Sequence, residues 1–158
     1  MKPKDLIILT GNIGSGKSIL TKQYQAKGYV VIARDALRYA IGGGTYVFNT
    51  EYEAIIWETE LLMLEFFMKL GVNIVVDEVG VSKAMRLRYI TPAKKYEYAV
   101  KCHVLPKLTM KESIDRRMRD PHGQYNRKLW ESVWLKFAKI YEEPSFEEGF
   151  TEIIKTVA

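Results

Sequence analysis

Apolar positions along this chain fall into two kinds of run. Short, unbroken ones, such as Leu6 to Leu9 between Asp5 and Thr10-Gly11, have the pattern of strands covered on both faces. Longer ones, spaced by three and four, have the pattern of helices packed along one side. In chain order, a glycine-rich turn after the first strand leads into a helix from Lys17 to Lys27, stopped by Gly28. Tyr29 to Ile32 is a second strand, and a short helix follows over Asp35 to Ala40, with Asp35 expected as its N-cap. Glu51 to Leu70 is the longest helical pattern. Its expected core face carries Tyr52, Ile55, Ile56, Thr59, Leu62, Met63, Phe66 and Leu70, and Gly71 ends it.

The third strand, Asn73 to Val76, delivers Asp77 and Glu78 at its carboxyl end. Ser82 caps a helix through Ile90, and Tyr98 to Leu105 is a fourth strand. From Thr109 a helix runs into Arg116, Arg117 and Arg119 and breaks at Asp120-Pro121-His122-Gly123. Asn126 to Tyr141 is helical again, with Leu129, Val133, Phe137 and Ile140 on one face, and Glu152 to Val157 is the last strand. Alternating strands and helices imply an α/β three-layer sandwich, a five-stranded, mostly parallel sheet with helices on both faces. Ligands of such sheets sit beyond the carboxyl ends of the strands, here the loops after Leu9, Ile32 and Val76.

Composition adds bounds. The 158 residues are 47% apolar and 27% charged, and a chain of this length buries roughly 70% of its unfolded surface without staples. No repeat or linker divides it, so residues 1–158 are expected to form one domain. Cys102 is the single cysteine, so no disulfide forms within the chain, in keeping with a reducing compartment. Met1 to Asp5 is polar and charged ahead of only four apolar residues. Neither a signal peptide nor a membrane span can be drawn there, and the expectation is a cytoplasmic protein with no membrane partner. A net charge of +5 permits an anionic partner without requiring one.

The chemistry begins at Gly11-Asn12-Ile13-Gly14-Ser15-Gly16-Lys17-Ser18, which satisfies G-x-x-x-x-G-K-[ST] between a strand and a helix. Three glycines let backbone N–H groups converge on phosphate oxygens, and the helix presents its positive end to the same charge. Lys17 is a cation for the β and γ phosphates, and Ser18 offers a hydroxyl to Mg²⁺. Asp77, at the end of a buried strand, is placed to hold the same ion. Glu78 is open to three roles: positioning water as in a hydrolysing ATPase, capping or pairing with an arginine, or touching an acceptor.

Arg34-Asp35 and Arg38 lie just past the second strand. A kinase needs a carboxylate there to take the proton of an incoming hydroxyl, and Arg38 can fork onto an acceptor phosphate. The bland alternative is a capping Asp35 paired with Arg38. Arg116, Arg117 and Arg119 suit a lid over residues 116–125 that neutralises charge on the nucleotide. Helical spacing puts 116 and 119 on one face and turns 117 elsewhere. In the loop Gly42 to Thr50, Tyr46 and Phe48 either stack an acceptor base or pack against the long helix.

Together these residues resemble the kinase domain of the polynucleotide 5′-hydroxyl kinases. The resemblance rests on the Gly11 to Ser18 loop, Gly28-Tyr29-Val30 leading to Arg34-Asp35, and Asp77 with Arg86, Arg88 and Tyr89 one helix later. Arg117-Met118-Arg119 and the tail Glu143-Pro144-Ser145-Phe146-Glu147-Glu148-Gly149-Phe150 complete it. Glu78-Val79-Gly80 and the Gly42 to Thr50 loop depart from the family pattern. The resemblance implies a P-loop kinase fold, ATP and Mg²⁺ as cofactors, and transfer of the γ-phosphate to a nucleic-acid hydroxyl. That hydroxyl would be a 5′-OH end or a hydroxymethylated base in DNA. It makes Asp35 the general base, puts Arg38 on the acceptor phosphate, and sets Arg117 and Arg119 on the transferred group with Lys17. A small-molecule kinase for a nucleoside, nucleotide or sugar and a nucleotide-dependent ATPase or switch using Glu78 are the alternatives.

Overall fold

A computed structural model describes residues 2–156. Five strands, β1 (Asp5–Thr10), β2 (Val30–Ile32), β3 (Ile74–Val76), β4 (Ala99–Val104) and β5 (Glu152–Lys155), form one sheet in the order β2-β3-β1-β4-β5. Every pairing is parallel, with Leu6 opposite Ile74 and Val100, and Lys101 opposite Glu152. The expected end of the last strand at Val157 lies outside the described residues. Along β1 the side chains alternate between two cores. Leu6 and Ile8 pack with Leu64, Met68, Tyr89, Ile90 and Phe150, whereas Ile7 and Leu9 pack with Tyr24, Val75 and Leu105. This double burial is why the strand shows no polar alternation.

Helices α1 (Lys17–Ala26), α2 (Arg34–Ile41), α3 (Glu53–Leu70), α4 (Lys83–Lys95), α5 (Met110–Arg117) and α6 (Arg127–Lys139) connect and cover the strands. α1 lies on the Ile7 side, and α3 and α4 lie on the Leu6 side. Their ends follow local chemistry. Ser82 accepts from the Met85 N–H, Thr109 and Glu112 make a reciprocal capping box, Asn126 accepts from the Leu129 N–H, and Gly71 closes α3 at φ 71°.

Two expectations are corrected. The buried stripe of α3 is Ile56, Glu60, Leu64 and Met68, while Ile55, Leu62, Phe66 and Leu70 face solvent, with Leu62 55% and Phe66 61% exposed. The helix carries two apolar stripes, and the one that includes a glutamate turns inward. Asp35 is not an N-cap. Ala33 holds that position without a side-chain bond, and Asp35 sits in the first turn of α2, leaving its carboxylate for other work. Among the described residues no helix is long and apolar enough to cross a membrane.

Candidate active site

The loop after β1 curls through Gly14 at φ 68° and Gly16 at φ 104°, the latter capping α1. Gly14 is needed for packing as well as for its φ: a Cβ there would lie 2.2 Å from the Ser113 carbonyl oxygen, so its absence lets α5 close onto the loop. Asn12 ties α6 to the same loop through Nδ2, which donates to the Trp134 carbonyl at 3.1 Å. Gly11 donates its N–H to Val79 O at 3.0 Å, joining the loop to the segment after β3. Lys17 Nζ donates to Gly11 O at 2.8 Å and Asn12 O at 2.9 Å. Burial pushes this ammonium down to about 8, with Asp77 opposing and Arg117 reinforcing the shift.

Asp77 ends β3, tied to β2 by its N–H donating to Ile32 O at 2.8 Å. Burial raises its carboxyl above the ordinary range, against the pull of Lys17. Ser18 opens onto solvent at the start of α1. A hydroxyl and a carboxylate are an all-oxygen set that suits Mg²⁺, an ion usually held by one or two carboxylates together with substrate phosphates. No cluster of three His, Cys, Asp or Glu occurs among the described residues.

Asp35, in the first turn of α2, is 46% exposed at its side chain. Its Oδ1 accepts from Arg38 Nη1 at 2.7 Å and from the Tyr46 hydroxyl at 3.1 Å, while Oδ2 has His122 Nε2 at 3.7 Å, beyond bonding distance. Burial alone would raise its carboxyl, but the Arg38 hydrogen bond and the neighbouring charges hold it below the usual range. The Gly42 to Thr50 loop thus brings Tyr46 onto the carboxylate, and Phe48 remains exposed beside Arg38. His122 joins the lid segment to this corner: Nδ1 bonds the Tyr39 hydroxyl at 2.8 Å, and its ring stacks on Tyr46 at 5.0 Å.

The structure bears on three of the expected roles. Arg38 has no free fork for an acceptor phosphate, because Nε and Nη2 donate to the two carboxylate oxygens of Glu53 and Nη1 donates to Asp35. Glu78 does not face water beside the phosphates: Oε1 accepts from the Arg34 N–H at 2.8 Å and from Nε at 3.1 Å, and Oε2 accepts from Nη2 at 3.1 Å. Pairing with an arginine is one of the three roles left open for it. Arg117, expected to point away, is the lid arginine whose charge reaches Lys17 and Asp35, steadied over the Trp130 ring at 4.8 Å. The helix ends at Arg117, so helical periodicity no longer governs the residues beyond it.

Arg116 Nη1 comes 4.0 Å from where a Cβ on Gly16 would sit, and Arg119 is exposed. Among the described residues none of these three arginines makes an ion pair, whereas Arg34, Arg38, Arg86, Arg88 and Arg127 all do. The Arg117 Nε is buried without a hydrogen-bond partner. Glu53, Tyr39, His122 and Trp130 escaped the reading of the sequence. The turn Asp120-Pro121-His122-Gly123 was the one local sign that His122 sat somewhere unusual, and His122 adopts φ 51° there.

Comparison with known proteins gives the following. No curated protein sequence matches the chain. A chain of the Pnkp1/Rnl/Hen1 RNA repair complex superposes with a TM-score of 0.72 at 19% identity, covering 89% of this chain and 46% of that one. A fungal RNA kinase gives 0.61 at 14% identity, covering 100% and 76%. The Mycobacterium tuberculosis APS kinase CysC, in complex with AMPPNP and APS, also gives 0.61 at 14%, covering 98% and 90%. The chain spans less than half the length of the RNA repair chains it matches. At such identities the likeness establishes the α/β P-loop fold, shared by proteins named for different substrates. A family model described as an AAA domain matches residues 6–144, from β1 past the end of α6. On that match, which takes in the phosphate loop, Asp35, Asp77 and the lid arginines, the chain belongs to the AAA domain family.

Proposed function

We propose that this chain is an ATP-dependent kinase that transfers the γ-phosphate to a hydroxyl held at Asp35. The observation that carries the reading is the state of that carboxylate: half-exposed, held ionised, with Oδ1 fully engaged and Oδ2 left to receive a proton. Phosphoryl transfer asks little covalent chemistry of the protein and much positioning. Oδ2 orients the acceptor oxygen and takes its proton as the bond to phosphorus forms. Arg38, fixed by Glu53, holds Asp35 in place. Lys17, Arg116 and Arg117 balance charge on the phosphates, and Arg119 joins them when the lid closes. Ser18 and Asp77 are the residues that would hold Mg²⁺, which when bound neutralises charge between the β and γ phosphates.

Within this reading a 5′-OH polynucleotide end, or a hydroxymethylated base in DNA, is the first acceptor. The motifs shared with polynucleotide kinases and the fold shared with the RNA repair chain and the fungal RNA kinase support it. The Arg38–Glu53 pair favours a second reading, a small acceptor with no phosphate beside its hydroxyl. Incubation with γ-labelled ATP, Mg²⁺ and a panel of 5′-OH oligonucleotides, hydroxymethylated DNA, nucleosides and sugars separates the two by which acceptor carries label. Free phosphate without any labelled acceptor refutes the kinase. Asp35→Asn is expected to keep ATP binding and to lose transfer by at least about 10²-fold, the scale of a missing general base.

A further inference from the structure

Helix α2 is short, and its N-cap residue, Ala33, contributes no side-chain acceptor. The first helical N–H, that of Arg34, is capped from another segment: it donates to Glu78 Oε1 at 2.8 Å. Arg34 Nε and Nη2 close on the same carboxylate at 3.1 Å each. On the other side the Arg34 guanidinium lies 3.6 Å from the centre of the Trp57 ring, so it is pinned between α3 and the end of β3. Glu60, fully buried and bonded by the Tyr89 hydroxyl at 2.9 Å, is a neighbour of Glu78. Asp35 is the residue next to Arg34, as Asp77 is next to Glu78. One dipeptide at the end of β3 therefore serves both halves of the cleft, Asp77 toward the phosphates and Glu78 toward the helix that carries the base.

We propose that Glu78 is a positioning residue that caps α2 and thereby sets Asp35 against the donor phosphates. The inference rests on the kinase reading above. A displacement of the order of 1 Å in a reacting group costs about 10²-fold, and a first turn of α2 freed from Glu78 has no other cap. The expectation for Glu78→Ala is a fall in transfer turnover of about 10- to 100-fold with ATP affinity unchanged. Glu78→Gln, which keeps one oxygen for the Arg34 N–H, falls less. Arg34→Lys, which keeps the charge and the capped N–H but loses the fork, also falls less than Glu78→Ala.

A purely structural role is separated by coupling. In an Asp35→Asn background, Glu78→Ala adds no further loss of transfer if it acts through Asp35. The same fold-loss in both backgrounds overturns the inference, as does unchanged turnover in all three single variants. A readout without turnover is the carboxyl ¹³C titration of Asp35, expected to move up toward the ordinary carboxylate value in Glu78→Ala as the Arg38 and Tyr46 bonds loosen. An unmoved Asp35 titration overturns the positioning role whatever the acceptor proves to be. Failure of the wild-type protein to label any acceptor overturns the kinase reading alone, since the titration still reports on Glu78.

Discussion

Removing the Glu148 carboxylate is expected to cost more stability than any surface substitution in this chain. Arg86 is fully buried and donates through Nε and Nη2 to Glu148 at 2.8 and 3.1 Å, and through Nη1 to Gly80 O at 2.9 Å. Glu148 also accepts from the Ser145 N–H at 2.9 Å in a capping box. Glu148→Ala leaves a guanidinium without its counter-charge in the interior, a change worth about 3–5 kcal/mol, and loses a cap worth about 1 kcal/mol. Against a total of about 5–15 kcal/mol that is a large fraction. It corresponds to a drop in Tm of roughly 8–24 °C at about 2–4 °C per kcal/mol.

Urea denaturation of wild type, Glu148→Leu, Glu148→Ala, Arg86→Leu and the double variant Arg86→Leu/Glu148→Leu measures it. The double variant removes both partners and is expected to lose less than the sum of the single losses, because an apolar pair needs no counter-charge. A loss below about 1 kcal/mol in Glu148→Ala, the scale of an exposed pair, or strict additivity in the double variant, refutes the reasoning. The same bonds tie the Glu148-Gly149-Phe150 tail to the loop after β3, whose Gly80 carbonyl also accepts from Thr10 Oγ1.

Other outcomes follow from the same geometry. His122 is held below its ordinary value by burial and by Arg117, so its NMR titration midpoint is expected below about 6.5. The unfolded chain then takes up its proton first as pH falls. Stability should therefore decline below about pH 6.5 and go on declining down to the folded midpoint. His122→Gln flattens that slope, and an unchanged slope argues against the placement of His122. Leu62→Lys and Phe66→Lys on the outward face of α3 are expected to shift stability by no more than about 0.5 kcal/mol in thermal melts. Losses of about 2 kcal/mol or more, typical of core truncations, would put the inward face where the sequence periodicity placed it.

What could be read from the sequence alone was whatever depended on neighbours in the chain. β1, the glycine loop and α1 are continuous, and their apolar run and Lys17-Ser18 spacing carry their own meaning. The inward face of α3 was hidden because its stripe runs through Glu60, a charge that reads as solvent-facing until Tyr89 and Arg88 are brought to it from α4. The role of Arg38 was hidden by Glu53, which lies across a loop with no periodic relation to α2. The corner around Asp35 draws Tyr46 and His122 from separate loops, and no spacing rule relates such positions. Arg119 falls beyond the helical spacing because α5 stops at Arg117, and where a helix stops is its property least visible in composition.

The parallel order of the sheet bears on how the chain reaches this structure. β1 pairs only with strands made much later, Leu6 with Ile74 on one side and Asp5 with Ala99 on the other. Closing such distant pairings is entropically costly and slow, and domains emerge from synthesis N-terminus first. A nascent chain that stops short of β4 leaves β1 with a partner on one edge alone, and α5, which packs against Gly14, has not yet been made. The phosphate loop is thus synthesised well before the strand and the helix that hold it in shape.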